Sequence, residues 1–353
     1  MRLNVAYTHL SHHAAHSGYD QVVPYLVDRL PVARLEADVP RHIPWRAWRW
    51  ADRRWSSEWY DVWSLSLEAS AARRLLTRPN EIVHLLYGED TYRHLGRLPA
   101  CVRRRGARVI CTYHQPPEQL EGLLPSARGL TRMDAVVALA EPQAQFLAER
   151  IGADRVFVVP HGVDTTYFRP ANGSTASGAT AGHDPTCLFV GSWLRDFETL
   201  EKVVRLVAAR EPGIRFRIVT SAEQVTLLDG LPNVERTERV SDEELLRIYQ
   251  SADLFLLPLV ACTANNSLLE AMACGLPLVA SDVGGVREYV DDSCAVLVPA
   301  SDPEAMADSV ISLCSDDRRR AEMSSASRAR ALELDWSRVA DRLIDVYEAV
   351  GSG

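Results

Sequence analysis

Short runs of β-branched and aromatic residues alternate with longer amphipathic spans along this 353-residue chain. LNVAYTH, EIVHLLY, ARVICTYH, AVVALA and VFVVPHG fall in the first half, and TCLFVG, RFRIVTS, LFLLPL, LPLVAS and AVLVPA in the second. Runs this short and this apolar are strands buried on both faces. A strand reaches a parallel neighbour only through a crossover long enough to hold a helix, so the pattern predicts βαβ units. The clearest break is ANGSTASGATAGHD, residues 171–184, whose small residues have no apolar face and predict a flexible linker. The expected fold is α/β: two Rossmann-like βαβ domains facing across a cleft, with ligands at the carboxyl ends of the strands. The expected bounds are 1–170, the linker 171–184, 185–335, and a helix over 336–353 that returns to the N-terminal domain.

Composition narrows the function. The net charge is -8, and it is unevenly shared: residues 1–170 hold 22 basic and 18 acidic side chains, residues 171–353 hold 17 and 29. An acidic chain with basic runs only at 103–105 and 318–320 is a poor partner for nucleic acid. The seven cysteines are scattered without a C-x-x-C, which points to a reducing cytoplasm rather than a disulfide or zinc framework. MRLNVAYTHL reads as a first strand, not as a signal peptide. Six tryptophans crowd residues 45–63 among Arg46, Arg49, Arg53 and Arg54. They suit a helix packed on the first sheet, or a peripheral contact with a membrane face. There is no G-x-G-x-x-G, no P-loop and no Asp-x-Asp. Nicotinamide, flavin and Walker chemistry are therefore disfavoured, and any diphosphate is expected to be bound without a metal or other cofactor.

TANNSLLEAMACGLPLVASDVGG, residues 263–285, carries the strongest chemical signal. A helix beginning near Asn266 leaves the amides of Ser267, Leu268 and Leu269 unpaired, which makes an anion site. Glu270 projects from the same face and is placed to accept bonds from a vicinal diol, such as a ribose, beside the phosphates. It also suits a first-turn glutamate favoured only by the helix dipole.

Residues 268–288, LLEAMACGLPLVASDVGGVRE, resemble the nucleotide-sugar signature of glycosyltransferase family 4, a GT-B group of retaining enzymes. VVPHGVDTTYFRP (158–170), FVGSWLRDFETL (189–200), ERVSDEELLRIYQSADLFLLP (238–258) and AVVALAEPQAQFL (135–147) match other family segments in order, as does the closing LDWSRVADRLIDVY. The resemblance implies that Glu270 binds ribose hydroxyls and that Asn266, Ser267 and Leu268 offer donors to the diphosphate. It implies that Arg195 replaces a phosphate-neutralising lysine, that Val240 lies in the base-reading region, and that His114 stands near the donor sugar. Gly18 fits the family's glycine loop after the first strand. Two positions depart from the pattern. Cys262 stands where a sugar-binding glutamate is usual, and Ser192 where a second phosphate cation is usual. Thr263, Asn265 or Asn266 are expected to hold the sugar instead.

The implied reaction moves a sugar from a nucleoside diphosphate sugar, UDP foremost, to an acceptor hydroxyl on a sugar, a lipid-linked glycan or a small natural product. No pair of nucleophile and general base with suitable spacing is evident, in keeping with the front-face retention that the resemblance implies. A non-catalytic GT-B homologue acting as a partner subunit is the alternative.

Overall fold

The computed structural model describes residues 2–7, 16–36, 50, 59–98, 103–124, 127–171, 184–221, 228, 230–238 and 240–352. Residues 172–183 of the expected linker, three of the six clustered tryptophans and residues 8–15 lie outside them. The chain divides into two compact units. Unit 1 comprises Met1–His13, Gly18–His161 and Ser337–Gly353; unit 2 comprises Ala14–Ser17 and Gly162–Trp336. The break thus falls at His161/Gly162, ahead of the linker where the composition placed it, because 162–170 pack with the segment around Asp335: Val163 N donates to Leu334 O at 3.0 Å.

Unit 1 has six parallel strands in the order β2-β1-β3-β4-β5-β6. They are β1 Arg2–Ala6, β2 Val32–Leu35, β3 Glu81–Leu85, β4 Arg108–Thr112, β5 Ala135–Ala138 and β6 Val156–Val158. Unit 2 repeats the plan in the order β12-β11-β10-β7-β8-β9. Its strands are β7 Thr186–Val190, β8 Arg215–Val219, β9 Val234–Thr237, β10 Leu254–Leu257, β11 Leu278–Ser281 and β12 Ala295–Val298. The register is tight where the apolar runs are purest; Phe255, Leu256 and Leu257 face Leu278, Val279 and Ala280. Alternate residues of one strand feed opposite faces. Leu188 and Val190 join one core cluster, Cys187 and Phe189 the other. Each fully buried side chain of this kind contributes about 1.5–3 kcal/mol, so the central strands carry much of each unit's stability. The edge strands β2 and β9 are not legible as strands in the sequence, because VARL and VERT alternate with charged residues and are only half-buried.

Strand order decides where the loops collect. In unit 1 the order reverses between β1 and β3, and in unit 2 between β7 and β10. Chains leaving adjacent strands in opposite directions open a crevice at those carboxyl ends. Ser241 Oγ accepts from Glu244 N at 3.2 Å and caps the start of the helix Asp242–Ser251.

The helix Trp336–Ser352 is held in unit 1, from Ser337 on, by a buried histidine. His84, in the middle of β3, has Nδ1 at 2.7 Å from the Tyr347 hydroxyl and Nε2 at 2.8 Å from Thr112 Oγ1. Burial, with a smaller contribution from His114, lowers it to about 3. The unfolded side chain takes a proton near pH 6.5 and the folded one does not, so this group's stability is complete above 6.5 and is lost as the pH falls towards 3. The free energy of urea unfolding is expected to be about 1.4 kcal/mol lower at pH 5.5 than at pH 7.5 from this residue. In His84→Gln that difference should shrink by the same amount, and an unchanged difference would assign it to other groups.

Candidate donor site and a second polar cluster

The helix Asn266–Ala273 starts where the sequence placed it, and Asn265 is its N-cap. Asn265 Oδ1 accepts from Leu268 N at 3.1 Å, and Leu269 N donates to Asn265 O at 3.1 Å in the first helical bond. Contrary to expectation, the amides of Leu268 and Leu269 are not free donors, and Oδ1 of Asn265 is taken up by the helix start. The amides of Asn266 and Ser267 have no acceptor among the described residues and remain open to an anion.

Arg195 follows β7 and lies against this helix start. Its Nε and Nη2 donate to Val190 O at 3.2 and 3.0 Å, its Nη1 to Trp193 O at 2.8 Å, and its Nη2 to Ser267 Oγ at 2.8 Å. Every one of these acceptors is a neutral oxygen. Burial lowers Arg195 to about 10, with nearby Cys262, Tyr249 and Glu270 acting against that, so the guanidinium is still charged at neutral pH. Gly191 makes room for it: the φ of +103° suits glycine, and a β-carbon there would stand 2.5 Å from Arg195 Nη2. Ser192 is exposed and brings no second cation.

Glu270 is buried at the same helix. Its Oε1 accepts from Ser17 Oγ at 2.5 Å and its Oε2 from the Tyr249 hydroxyl at 2.9 Å. Burial raises its pKa, while those two hydrogen bonds and the charge of Arg195 pull the other way. Neither partner is legible in the sequence. Tyr249 looks like one more apolar residue of the 242–251 helix, and Ser17 carries no signal beyond its place beside Gly18. His16, next to Ser17, stacks on Tyr167 with ring centroids 3.6 Å apart and meets Asp164 Oδ2 at 3.1 Å. An ionised carboxylate has about four acceptor positions, so two are left for a diol.

Cys262 is packed into the core of unit 2, and burial pushes its thiol up to about 12. Its thiol is a weak hydrogen-bonding group. Beside it, the buried Thr263 hydroxyl has no hydrogen-bond partner among the described residues. Val240 packs half-buried against the same core. The 262 loop is pinned by Gly284 and Gly285: Gly285 N donates to Cys262 O at 3.0 Å, and a β-carbon on Gly284 would stand 2.0 Å from that carbonyl.

In unit 1, His114 follows β4, and Gly18 opens the turn after the first strand with φ +103°. His114 stacks on Tyr87 at 4.7 Å and meets the edge of Tyr19 at 5.0 Å. Its closest charged neighbour is Glu89, in the GEDTYRH stretch, to which no motif in the sequence assigns a role.

Comparison with known proteins fits this geometry. Residues 5–167 match the family model described as Glycosyltransferase Family 4, and residues 184–316 match Glycosyl transferases group 1. Between them the two take in most of the chain, and the protein belongs to this glycosyltransferase family. The chain is 33% identical over 258 residues to the D-inositol 3-phosphate glycosyltransferase of Xylanimonas cellulosilytica, covering 65% of this chain and 60% of that protein. It is 30% identical to the protein of the same name from Segniliparus rotundus, covering 67% and 57%. It thus spans about three fifths of the length of these curated relatives. Among solved structures it shares the GT-B fold of sucrose-phosphate synthase from Thermosynechococcus elongatus, at TM-score 0.70 and 18% identity over 98% of both chains. Anabaena HepE in complex with UDP-glucose superposes at TM-score 0.68 and 15% identity over 99% of each chain. No described helix is long and apolar enough to cross a membrane.

The glycine pin carries a test. Gly284→Ala places a side chain at φ +52° and into a backbone carbonyl, and is expected to cost about 1–3 kcal/mol. A thermal melt should show the loss. An unchanged melting temperature would mean that the 262 loop is free to move.

Proposed function

We propose that the protein is a retaining glycosyltransferase that moves a sugar from a nucleoside diphosphate sugar to an acceptor hydroxyl without a metal. The observation that carries this reading is Arg195: a half-buried cation bonded only to neutral oxygens, set against a helix start with two open amides. Glu270 attracts it through space but is bonded to Ser17 and Tyr249 instead, and a charge withdrawn from water without a directly bonded anion is costly unless one completes the site. A diphosphate fits, because the guanidinium fork and the two amides can share its oxygens. Glu270 would take the ribose hydroxyls, with Tyr249 holding the carboxylate in place. The Ser17 hydroxyl occupies the oxygen that a ribose hydroxyl would use. The unpartnered Thr263 hydroxyl is the group best placed to hold the donor sugar, since Cys262 beside it has no oxygen to offer.

Catalysis on this reading is stabilisation of charge that develops on the leaving diphosphate. In front-face retention that same diphosphate takes the acceptor proton as the glycosidic bond to it breaks and the new bond forms on the same face. Uridine is the proposed base and the acceptor a hydroxyl-bearing small molecule or glycan. The HepE complex and the curated relatives' name support these two assignments by likeness alone.

Arg195→Ala is expected to lower the rate of donor cleavage about 100- to 1000-fold while changing the Kd for the nucleoside diphosphate only a few-fold. Equal losses in both would remove Arg195 from the reaction. Glu270→Gln should weaken nucleoside diphosphate binding about tenfold by calorimetry, and a chelator should leave turnover unchanged. NMR of the product's anomeric centre decides retention.

A further inference from the structure

In the polar cluster of unit 1, Glu89 has no part in the reading given so far. Glu89 has a side chain only 3% exposed, and its Oε1 accepts from the amide of His114 and, at 2.8 Å, from that of Gln115. Its Oε2 lies 3.6 Å from His114 Nδ1 and has no hydrogen-bond partner among the described residues. Neither ring nitrogen of His114 has one either, and both are buried. Buried polar atoms are ordinarily bonded, so three such atoms in one place mark a site that a ligand completes. Burial would raise the carboxyl of Glu89, but hydrogen bonding to His114 outweighs it and holds the group below the usual range. It is therefore an anion, and an anion only accepts.

Aromatic walls fix the ring. Tyr87 lies on one face, Tyr19 presents an edge, and His161 stands 6.5 Å away, centroid to centroid. Asp20 meets the Tyr87 hydroxyl at 3.4 Å from behind. The ring atom that faces Glu89 is Nδ1. If it carries the proton, Nε2 of the neutral ring is a bare acceptor.

We propose that Glu89 is a positioning residue that keeps the proton of His114 on Nδ1, so that Nε2 accepts a hydrogen bond from a hydroxyl of the sugar substrate. A buried acceptor needs a donor, and hydroxyls are the donors that glycosyl transfer brings to the protein. The gap of 3.6 Å is longer than a hydrogen bond and closes to one by a shift of well under an ångström when the site fills. The identity of the hydroxyl rests on the glycosyl-transfer reading; the tautomer does not.

Nitrogen NMR of the full-length chain, labelled with 15N-histidine, reads the tautomer directly, with the His114 signals identified by their loss in His114→Gln. The native ring should carry its proton on Nδ1, and in Glu89→Gln, whose amide can donate, the proton should move to Nε2 or divide between the two. In turnover, Glu89→Gln should lower kcat about 10- to 100-fold with the donor KM within a few-fold. His114→Gln should do the same, and the double variant should be no worse than either single one. Glu89→Asp, which keeps the charge, should keep the Nδ1 tautomer, and it serves as the folding control for the amide variant. A native proton on Nε2, a tautomer indifferent to Glu89→Gln, or additive losses would overturn the proposal. Wild-type protein that binds no nucleoside diphosphate, yet shows the Nδ1 tautomer, would instead overturn the glycosyl-transfer reading.

Discussion

A strand that must pair with a parallel neighbour cannot turn straight back into it, and both units of this protein are built on that constraint. Successive strands of each sheet are joined by crossovers, so all carboxyl ends of one sheet lie along one edge. Where the order of crossovers reverses, the loops part and leave a crevice. Arg195 stands after β7 and the helix Asn266–Ala273 follows β10, the two strands at the reversal in unit 2. Gly18 and Glu89 follow β1 and β3, the corresponding pair in unit 1. The polar clusters stand where the sheets' topology opens them.

Each cluster is then held by apolar packing that tolerates little change. The helix that carries Glu270 is buried from Ser267 to Ala273, and its small residues let it sit close to the sheet. That burial raises the cost of each polar group there, which explains how fully they are bonded: Asn265 caps, Ser267 bridges Arg195 to the strand carbonyl of Val190, and Tyr249 and Ser17 hold Glu270. The exceptions, the Arg195 guanidinium with no carboxylate bonded to it and the Thr263 hydroxyl with no partner among the described residues, are the places where a ligand has something to add. Unit 1 shows the same pattern around His114 and Glu89.

The two departures from the family pattern acquire a physical meaning in this setting. A glutamate at 262 would have to leave the core that Cys262 now helps to fill. Next to the thiol along the chain stands the buried Thr263 hydroxyl, which is neutral and short. At 192 an exposed serine brings no second cation beside Arg195.

Periodicity along the chain is enough to settle the fold class, ten of the twelve strands and the start of the helix at Asn266, because buried strands and amphipathic helices write their burial directly into the order of residues. The family signature likewise singles out Arg195, Ser267 and Glu270. Edge strands β2 and β9 stay hidden, since half-buried strands need no apolar run. Which donors remain open at the helix start is also hidden, because Asn265 reads equally well as cap or ligand until its Oδ1 is seen on Leu268 N. Tertiary structure alone pairs Glu89 with His114, 25 residues apart, by laying β3 beside β4. It alone sets Ser17 on Glu270, 253 residues away. Local sequence encodes burial and backbone preference; which polar groups meet is decided by the order of strands in the sheet and the crossovers between them, and no spacing in the chain records that.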